Sequence, residues 1–140
     1  RLEDRTVAVN VAGHAVASLG AAVPDALFAG APVVLTRLEL RASDGRLVSE
    51  NFYWLAQDPA AYRALAAMAP ATIEVTARRV ADANEQVIEA RLHNPGRQPA
   101  LMVRLSPRDA AGKRVLPAYA SDNYVALLPG ETRTITIRSP

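Results

Sequence analysis

Cysteine is absent from this chain of 140 residues, which removes disulfide frameworks and thiolate metal sites and leaves packing alone to hold the fold. Histidine is limited to His14 and His93, too isolated for a metal site, which needs further His, Cys or carboxylate ligands at recognisable spacing. No apolar run approaches the roughly 18 residues of a membrane helix. The opening Arg1-Leu2-Glu3-Asp4-Arg5 lacks the charged-then-apolar order of an export signal, so the chain is expected to be an excised interior or C-terminal piece with no membrane partner. Charge of one sign is also lacking: 16 basic and 14 acidic residues leave +2. The arginines are scattered singly, as on solvated strand faces, and no basic run suggests a nucleic-acid partner. Nucleophile elbows, phosphate loops and dinucleotide fingerprints are missing too, and no cofactor is expected.

What is present is apolar and strand-like. Half the residues are hydrophobic, but many of them are Ala, so Val, Leu and a few aromatics must supply most of the burial free energy, at roughly 25 cal/mol per Å². Thr6 to Val11 alternates, with Val7, Val9 and Val11 on one side. His14 to Leu19 can continue as strand, and Gly20, Pro24, Gly30 and Pro32 break the remainder of residues 12 to 31 into loop with room for one short extended stretch. Alternation returns in Val33 to Ala42, and Ser43-Asp44-Gly45-Arg46 turns the chain back into Leu47 to Leu55, a hairpin. Asp58-Pro59 is N-cap and first-turn chemistry for a short connecting helix over Ala60 to Met68 that Pro70 ends. Beyond it, Ile73, Val75 and Ala77, then Ile88, Ala90 and Leu92, then Leu101, Val103 and Leu105, then Ile135 and Ile137 mark the inward faces of strands. Asn94-Pro95-Gly96, Asp109 to Gly112 and Pro129-Gly130 supply the turns between them. The fold class expected is all-β: an immunoglobulin-like antiparallel β-sandwich with one short connecting helix.

Seven residues stand out as candidate site residues. Asn51-Phe52-Tyr53-Trp54-Leu55 gathers the only Trp and one of two Phe beside a Tyr. At strand spacing Phe52 and Trp54 share one face and Tyr53 takes the other, so both faces are expected to be covered. Asp122, Asn123 and Tyr124 form a second cluster near the end. Flat rings can stack on sugars, whereas a Trp within a strand more often fills a core or an inter-domain contact. Asn51, Phe52, Tyr53, Trp54, Asp122, Asn123 and Tyr124 are therefore read as domain-packing residues or as glycan contacts.

Catalytic carboxylates are not evident. Glycosidases need two carboxyl groups roughly 5–9.5 Å apart across the sugar, and Glu85, Glu89, Asp44, Asp109 and Asp122 read instead as turn or surface residues. A weak internal repeat is visible: Arg37 to Val48 and Arg104 to Leu116 both read as strand, turn and strand. Ser49-Glu50-Asn51-Phe52 follows the first and Ser121-Asp122-Asn123-Tyr124 the second. A duplicated module explains this, and so does the composition common to hairpins.

Taken in order, Asn51 to Leu55, the Asp58 to Pro70 connector, the hairpin around Asp109 to Lys113, Val115-Leu116-Pro117, Ser121 to Tyr124 and Leu128-Pro129-Gly130-Glu131-Thr132 resemble the C-terminal region of glycoside hydrolase family 2 enzymes. The likeness is to the exo-β-D-glucosaminidase and β-mannosidase branch. In that family a jelly-roll domain, an immunoglobulin-like domain and a catalytic barrel precede two further immunoglobulin-like domains, and the catalytic glutamates belong to the barrel. A barrel takes about 250 residues, so none is contained here and no catalytic residue carries over. The resemblance implies that residues 1–55 are later strands of a penultimate sandwich, 56–70 a connector with its helix, and 71–140 the final sandwich. It further implies a retaining β-glycosidase as parent, acting on terminal β-linked glucosamine or mannose, secreted or periplasmic. The partners are then the parent's other domains and a glycan. The alternatives are an independent carbohydrate-binding module and an adhesion or chaperone-like sandwich that captures a strand at its edge.

Overall fold

The computed structural model describes residues 4–140; Arg1-Leu2-Glu3, named above for the export-signal reading, lie outside the described residues. The chain divides into two compact units, one ending at Ala67 and the other spanning Met68–Pro140.

In the first unit β1 (Val34–Arg41) and β2 (Leu47–Leu55) form the expected hairpin, with Val34 opposite Leu55 and Arg37 opposite Phe52. The turn is built by its own residues: Asp44 Oδ1 accepts from the Arg46 amide at 2.9 Å, and Gly45 takes φ +84, a left-handed conformation that glycine adopts without a Cβ clash. The connecting helix is present as a 3-10 helix over Pro59–Ala67. Asp58 caps it, its Oδ1 accepting from the amides of Ala60 at 2.7 Å and Ala61 at 3.1 Å. A second short 3-10 helix, Asp25–Ala29, follows Pro24 inside the segment read as loop.

Thr6 to Val11 departs from expectation. It forms no strand, and Val7, Val9 and Val11 are exposed. Alternation specifies a face but not a partner, and among the described residues no strand pairs with this one. The expectation that both faces of the Phe52 to Trp54 stretch are covered also fails within this unit. Phe52 and Trp54 are half-buried, while the opposite face shows Tyr53 44%, Leu38 43% and Leu40 50% exposed.

The second unit is the sandwich. β3 (Glu74–Val80), β4 (Gln86–His93), β8 (Thr132–Ser139) and β6 (Tyr119–Ala120) form an antiparallel sheet in the order β3-β4-β8-β6, and β5 (Ala100–Val103) pairs with β7 (Val125–Leu127) in a second one. The register sets Ala90 opposite Ile135 and Ile88 opposite Ile137, which puts the apolar residues of neighbouring strands on one face. Leu92, Ile135 and Ile137 from one sheet pack with Val125 and Leu127 from the other, closing a core around which Ile73, Ile88, Val103, Leu105, Ala118 and Ala120 add partial cover. Because the facing sheet has two strands, it leaves β3 bare: Val75 is 51% exposed although it lies opposite buried Leu92.

One polar side chain is wholly buried in this unit. Asn94, 0% exposed, donates from Nδ2 to the carbonyls of Gln98 at 2.8 Å and Leu127 at 2.9 Å, and accepts at Oδ1 from the Gly96 amide at 3.1 Å. Its carbonyl receives the Gly130 amide at 2.8 Å. Asn94 thus ties its own turn to the end of β7 and to the Leu128–Glu131 turn, in which Gly130 has φ +80 as a type II turn requires.

The weak repeat recurs as geometry. In the first hairpin the Ala42 amide donates to Arg46 O, the Gly45 amide to Ala42 O, and Arg41 Nη1 to Gly45 O. In the second, the Asp109 amide donates to Lys113 O, the Gly112 amide to Asp109 O, and Arg108 Nη1 to Gly112 O. Arg41 pairs with Leu47 where Arg108 pairs with Arg114. The correspondence reaches the rings: Arg37 lies over Phe52 at 5.5 Å and Arg104 over Tyr124 at 5.7 Å. Both turns end on a left-handed glycine, Gly45 and Gly112, the geometry of a common hairpin class.

Candidate functional site

The seven residues singled out fall into two clusters, one in each unit. On β2, Asn51 is exposed and opposite Leu38, and Phe52 lies under the Arg37 guanidinium. The Trp54 carbonyl accepts the Tyr62 hydroxyl at 2.8 Å, fastening the strand to the 3-10 helix. Of the three consecutive rings Phe52, Tyr53 and Trp54, Tyr53 alone is exposed.

In the second cluster each side chain has a structural task. Asp122 Oδ1 accepts its neighbour's amide at 2.8 Å, and Oδ2 pairs with Arg133 Nη1 at 2.9 Å. Asn123 behaves like a strand residue turned sideways: Oδ1 accepts from the Leu105 amide at 2.9 Å and Nδ2 donates to the Leu105 carbonyl at 3.2 Å. The same Oδ1 accepts the Tyr124 amide at 3.1 Å. Tyr124 is held at φ +57, a conformation that disfavours a bulky L-residue; the residue is 53% exposed, with its ring beneath Arg104. Met102, on the bulge in β5, has φ +55 and is also 53% exposed.

The carboxylates weighed above for catalysis are engaged in holding the fold. Glu89 pairs with Arg78 and Glu85 with Arg138 at 3.1 Å. Asp109 Oδ1 caps its own turn, accepting from the amides of Ala111 and Lys113 at 2.9 Å each. Asp82 titrates below its ordinary 3.8, chiefly because the Asn84 amide donates to it, with help from the Glu85 amide and the Arg138 charge. His93 Nδ1 lies 3.1 Å from both the Glu131 carbonyl and the Thr132 hydroxyl, and His14 is exposed at φ +62. Among the described residues no group of three or more His, Cys, Asp or Glu could hold a metal ion, and no helix is long and apolar enough to cross a membrane. Sequence reasoning missed Asn94 as a buried pin. Asn-Pro-Gly reads as a turn, and the partner that buries it, Leu127, is distant in the chain.

An antiparallel sandwich whose Asp122, Asn123 and Asn94 side chains are committed to turns and an ion pair defines an immunoglobulin-like module. The family described as the exo-beta-D-glucosaminidase Ig-fold domain matches residues 51–140, and the chain belongs to it. The exo-beta-D-glucosaminidase of Streptomyces avermitilis is 31% identical over 92% of this chain and 17% of its own length. That of Amycolatopsis orientalis is 31% identical over 74% of this chain and 12% of its own. The solved Amycolatopsis orientalis exo-chitosanase CsxA superposes with TM-score 0.70 at 32% identity, over 78% of this chain and 15% of that one. A complex of that enzyme's variant with PNP-beta-D-glucosamine gives TM-score 0.69 at 31% identity. The chain thus spans less than a fifth of the curated relatives it matches. The resemblance read from the sequence holds for the glucosaminidase branch.

Proposed function

We propose that this chain is the accessory immunoglobulin-like region of a retaining exo-β-D-glucosaminidase, which removes terminal β-linked glucosamine from glycans outside the cell. In this account residues 1–55 belong to one sandwich, whose later strands are β1 and β2, 56–70 are the connector and 71–140 the final sandwich. The observation that carries the reading is the open apolar face of β1–β2, Leu38, Leu40 and Tyr53, in a chain of this family. Burying it against the parent's other domains recovers roughly 25 cal/mol per Å² of apolar surface. The Phe52 to Trp54 stretch is in this account a packing element, while sugar chemistry resides in the catalytic domain. The test compares the full-length protein with this chain alone on an aryl β-D-glucosaminide. Release of the aryl group by the full-length protein and none by the chain is expected; turnover by the purified chain overturns the reading.

A sugar-binding role has one observation in its favour, the exposure of Tyr124. Arg104 covers one side of its ring, and a guanidinium there repels a protonated amino sugar. Titration with glucosamine oligomers is therefore expected to leave Tyr124 unperturbed.

A further inference from the structure

The two matching hairpins act as an internal control on each other's charge. In the first, Glu39 Oε2 lies 2.7 Å from Arg41 Nη2, and the residue opposite Arg41 is Leu47. At the corresponding positions of the second hairpin stand Ser106 and Arg114. Arg108 therefore loses the carboxylate that Arg41 has, and faces a second arginine directly across the pair. Like charges opposite each other on paired strands are destabilising. Arg104, Arg108, Lys113 and Arg114 are all exposed, and none has an ion-pair partner among the described residues. The one acid of the arm, Asp109, is turned inward on its own turn amides. At the base of the arm Arg104 lies over Tyr124, whose left-handed backbone is clamped by Asn123. A chain otherwise near neutrality thus concentrates uncompensated positive charge on one arm, at a cost in local stability that its own twin avoids.

We propose that the Arg104–Arg114 arm, with Tyr124 at its base, docks on a carboxylate-lined face of the catalytic domain in the parent glycosidase. This rests on the function proposed above. A domain that binds a polycationic sugar must itself present negative potential, and a basic arm complements that potential where a neutral one does not. The relatives are several times longer than this chain, so such a domain is at hand in the same polypeptide. The arm cannot attract the substrate, because both carry positive charge.

Lys113 is the only lysine of the chain and sits at the tip of the arm, so a carbodiimide, which joins amines to carboxylates in contact, reports on what the tip touches. The experiment treats the full-length protein with carbodiimide and identifies the peptides joined to the one containing Lys113. The expected result is a cross-link to an Asp or Glu of the catalytic domain, abolished at about 1 M salt, where the Debye length is about 3 Å. The double variant Ser106→Glu with Arg114→Leu installs the first arm's residues in the second. Since the first arm forms the same turn with those residues, the variant is expected to keep the native circular dichroism and melting profile while the cross-link falls about tenfold, the equivalent of 1.4 kcal/mol in docking. A Lys113 peptide joined only to residues 68–140, or an undiminished cross-link in the variant, overturns the proposal. So does retention of the full-length protein on an anionic polysaccharide that the variant loses, since the arm's partner would then be external. A cross-link to the catalytic domain in a protein without glucosaminidase activity would defeat the function proposed and leave the docking intact; activity without the cross-link does the reverse.

Discussion

Replacing Asn94 tests whether one buried amide holds the turns of the second unit. The side chain makes three hydrogen bonds, two of them to carbonyl oxygens, from a position with no solvent exposure. In Asn94→Ala, water can reach the exposed Gly96 and Gln98, so those two bonds are partly replaced. The bond to the Leu127 carbonyl is buried, and losing it costs about 1–3 kcal/mol. With a smaller contribution from each of the other two, the loss is about 2–4 kcal/mol, or roughly 10–20 °C in the melting of a unit this size. Asn94→Asp is expected to be worse at neutral pH. It sets an acceptor against two carbonyls, which raises the introduced carboxyl's folded-state pKa above the ordinary value of about 3.9. A raised pKa gives stability at low pH that is lost as pH rises, so the Asp variant recovers toward the Ala variant near pH 4. Urea unfolding should be followed by circular dichroism and by amide exchange at Gly96 and Leu127, since the lone Trp54 lies in the other unit. An Ala variant within about 0.5 kcal/mol of the parent, or an Asp variant no worse than Ala at pH 7, would refute the reasoning.

Met102 sits at φ +55 with its side chain exposed; Met102→Gly should be neutral or stabilising, and Met102→Val should unfold about 1–2 kcal/mol more easily than the Gly variant. The Asp82 carboxyl should titrate below 3.8 by NMR. Because its folded pKa is depressed, its contribution is present above 3.8 and lost as pH falls through the folded value, so Asp82→Asn should weaken the chain at neutral pH and lose that effect in strong acid. Leu92→Ala, which empties a fully buried position at the centre of the sandwich, should cost about 2–5 kcal/mol in urea unfolding. Tyr62→Phe deletes the bond to the Trp54 carbonyl and should cost about 0.5–1.5 kcal/mol, with a shift in Trp54 fluorescence.

Much of the architecture is legible in local pattern. The alternation in Gln86–His93 and Thr132–Ser139 is enough to find β4 and β8 and their inward faces, because each residue's face depends only on its neighbours in the strand. The turns at Gly45, Gly112 and Gly130 are equally local. What alternation cannot carry is the identity of the opposing layer. Val75 and Thr6–Val11 have the pattern of covered strands, yet exposure depends on how many strands face the first and which strands lie beside the second. The candidate site divides in the same way. The aromatic cluster of β2 is visible as residues, whereas the clamping of Leu105 by Asn123 and the lack of an ion-pair partner for Arg108 among the described residues require knowing what lies across the strand pair.

Two arms built on the same bond scheme in one polypeptide create a hazard during synthesis, because tandem domains can exchange equivalent pieces and misassemble. Between Arg37 and Val48 only Arg37, Leu38, Arg41, Gly45 and Val48 reappear, as Arg104, Leu105, Arg108, Gly112 and Val115. Divergence at the remaining positions, above all the change of Glu39 to Ser106 and of Leu47 to Arg114, gives each arm a different electrostatic address and so discourages one from seating in the other's place as the nascent chain emerges.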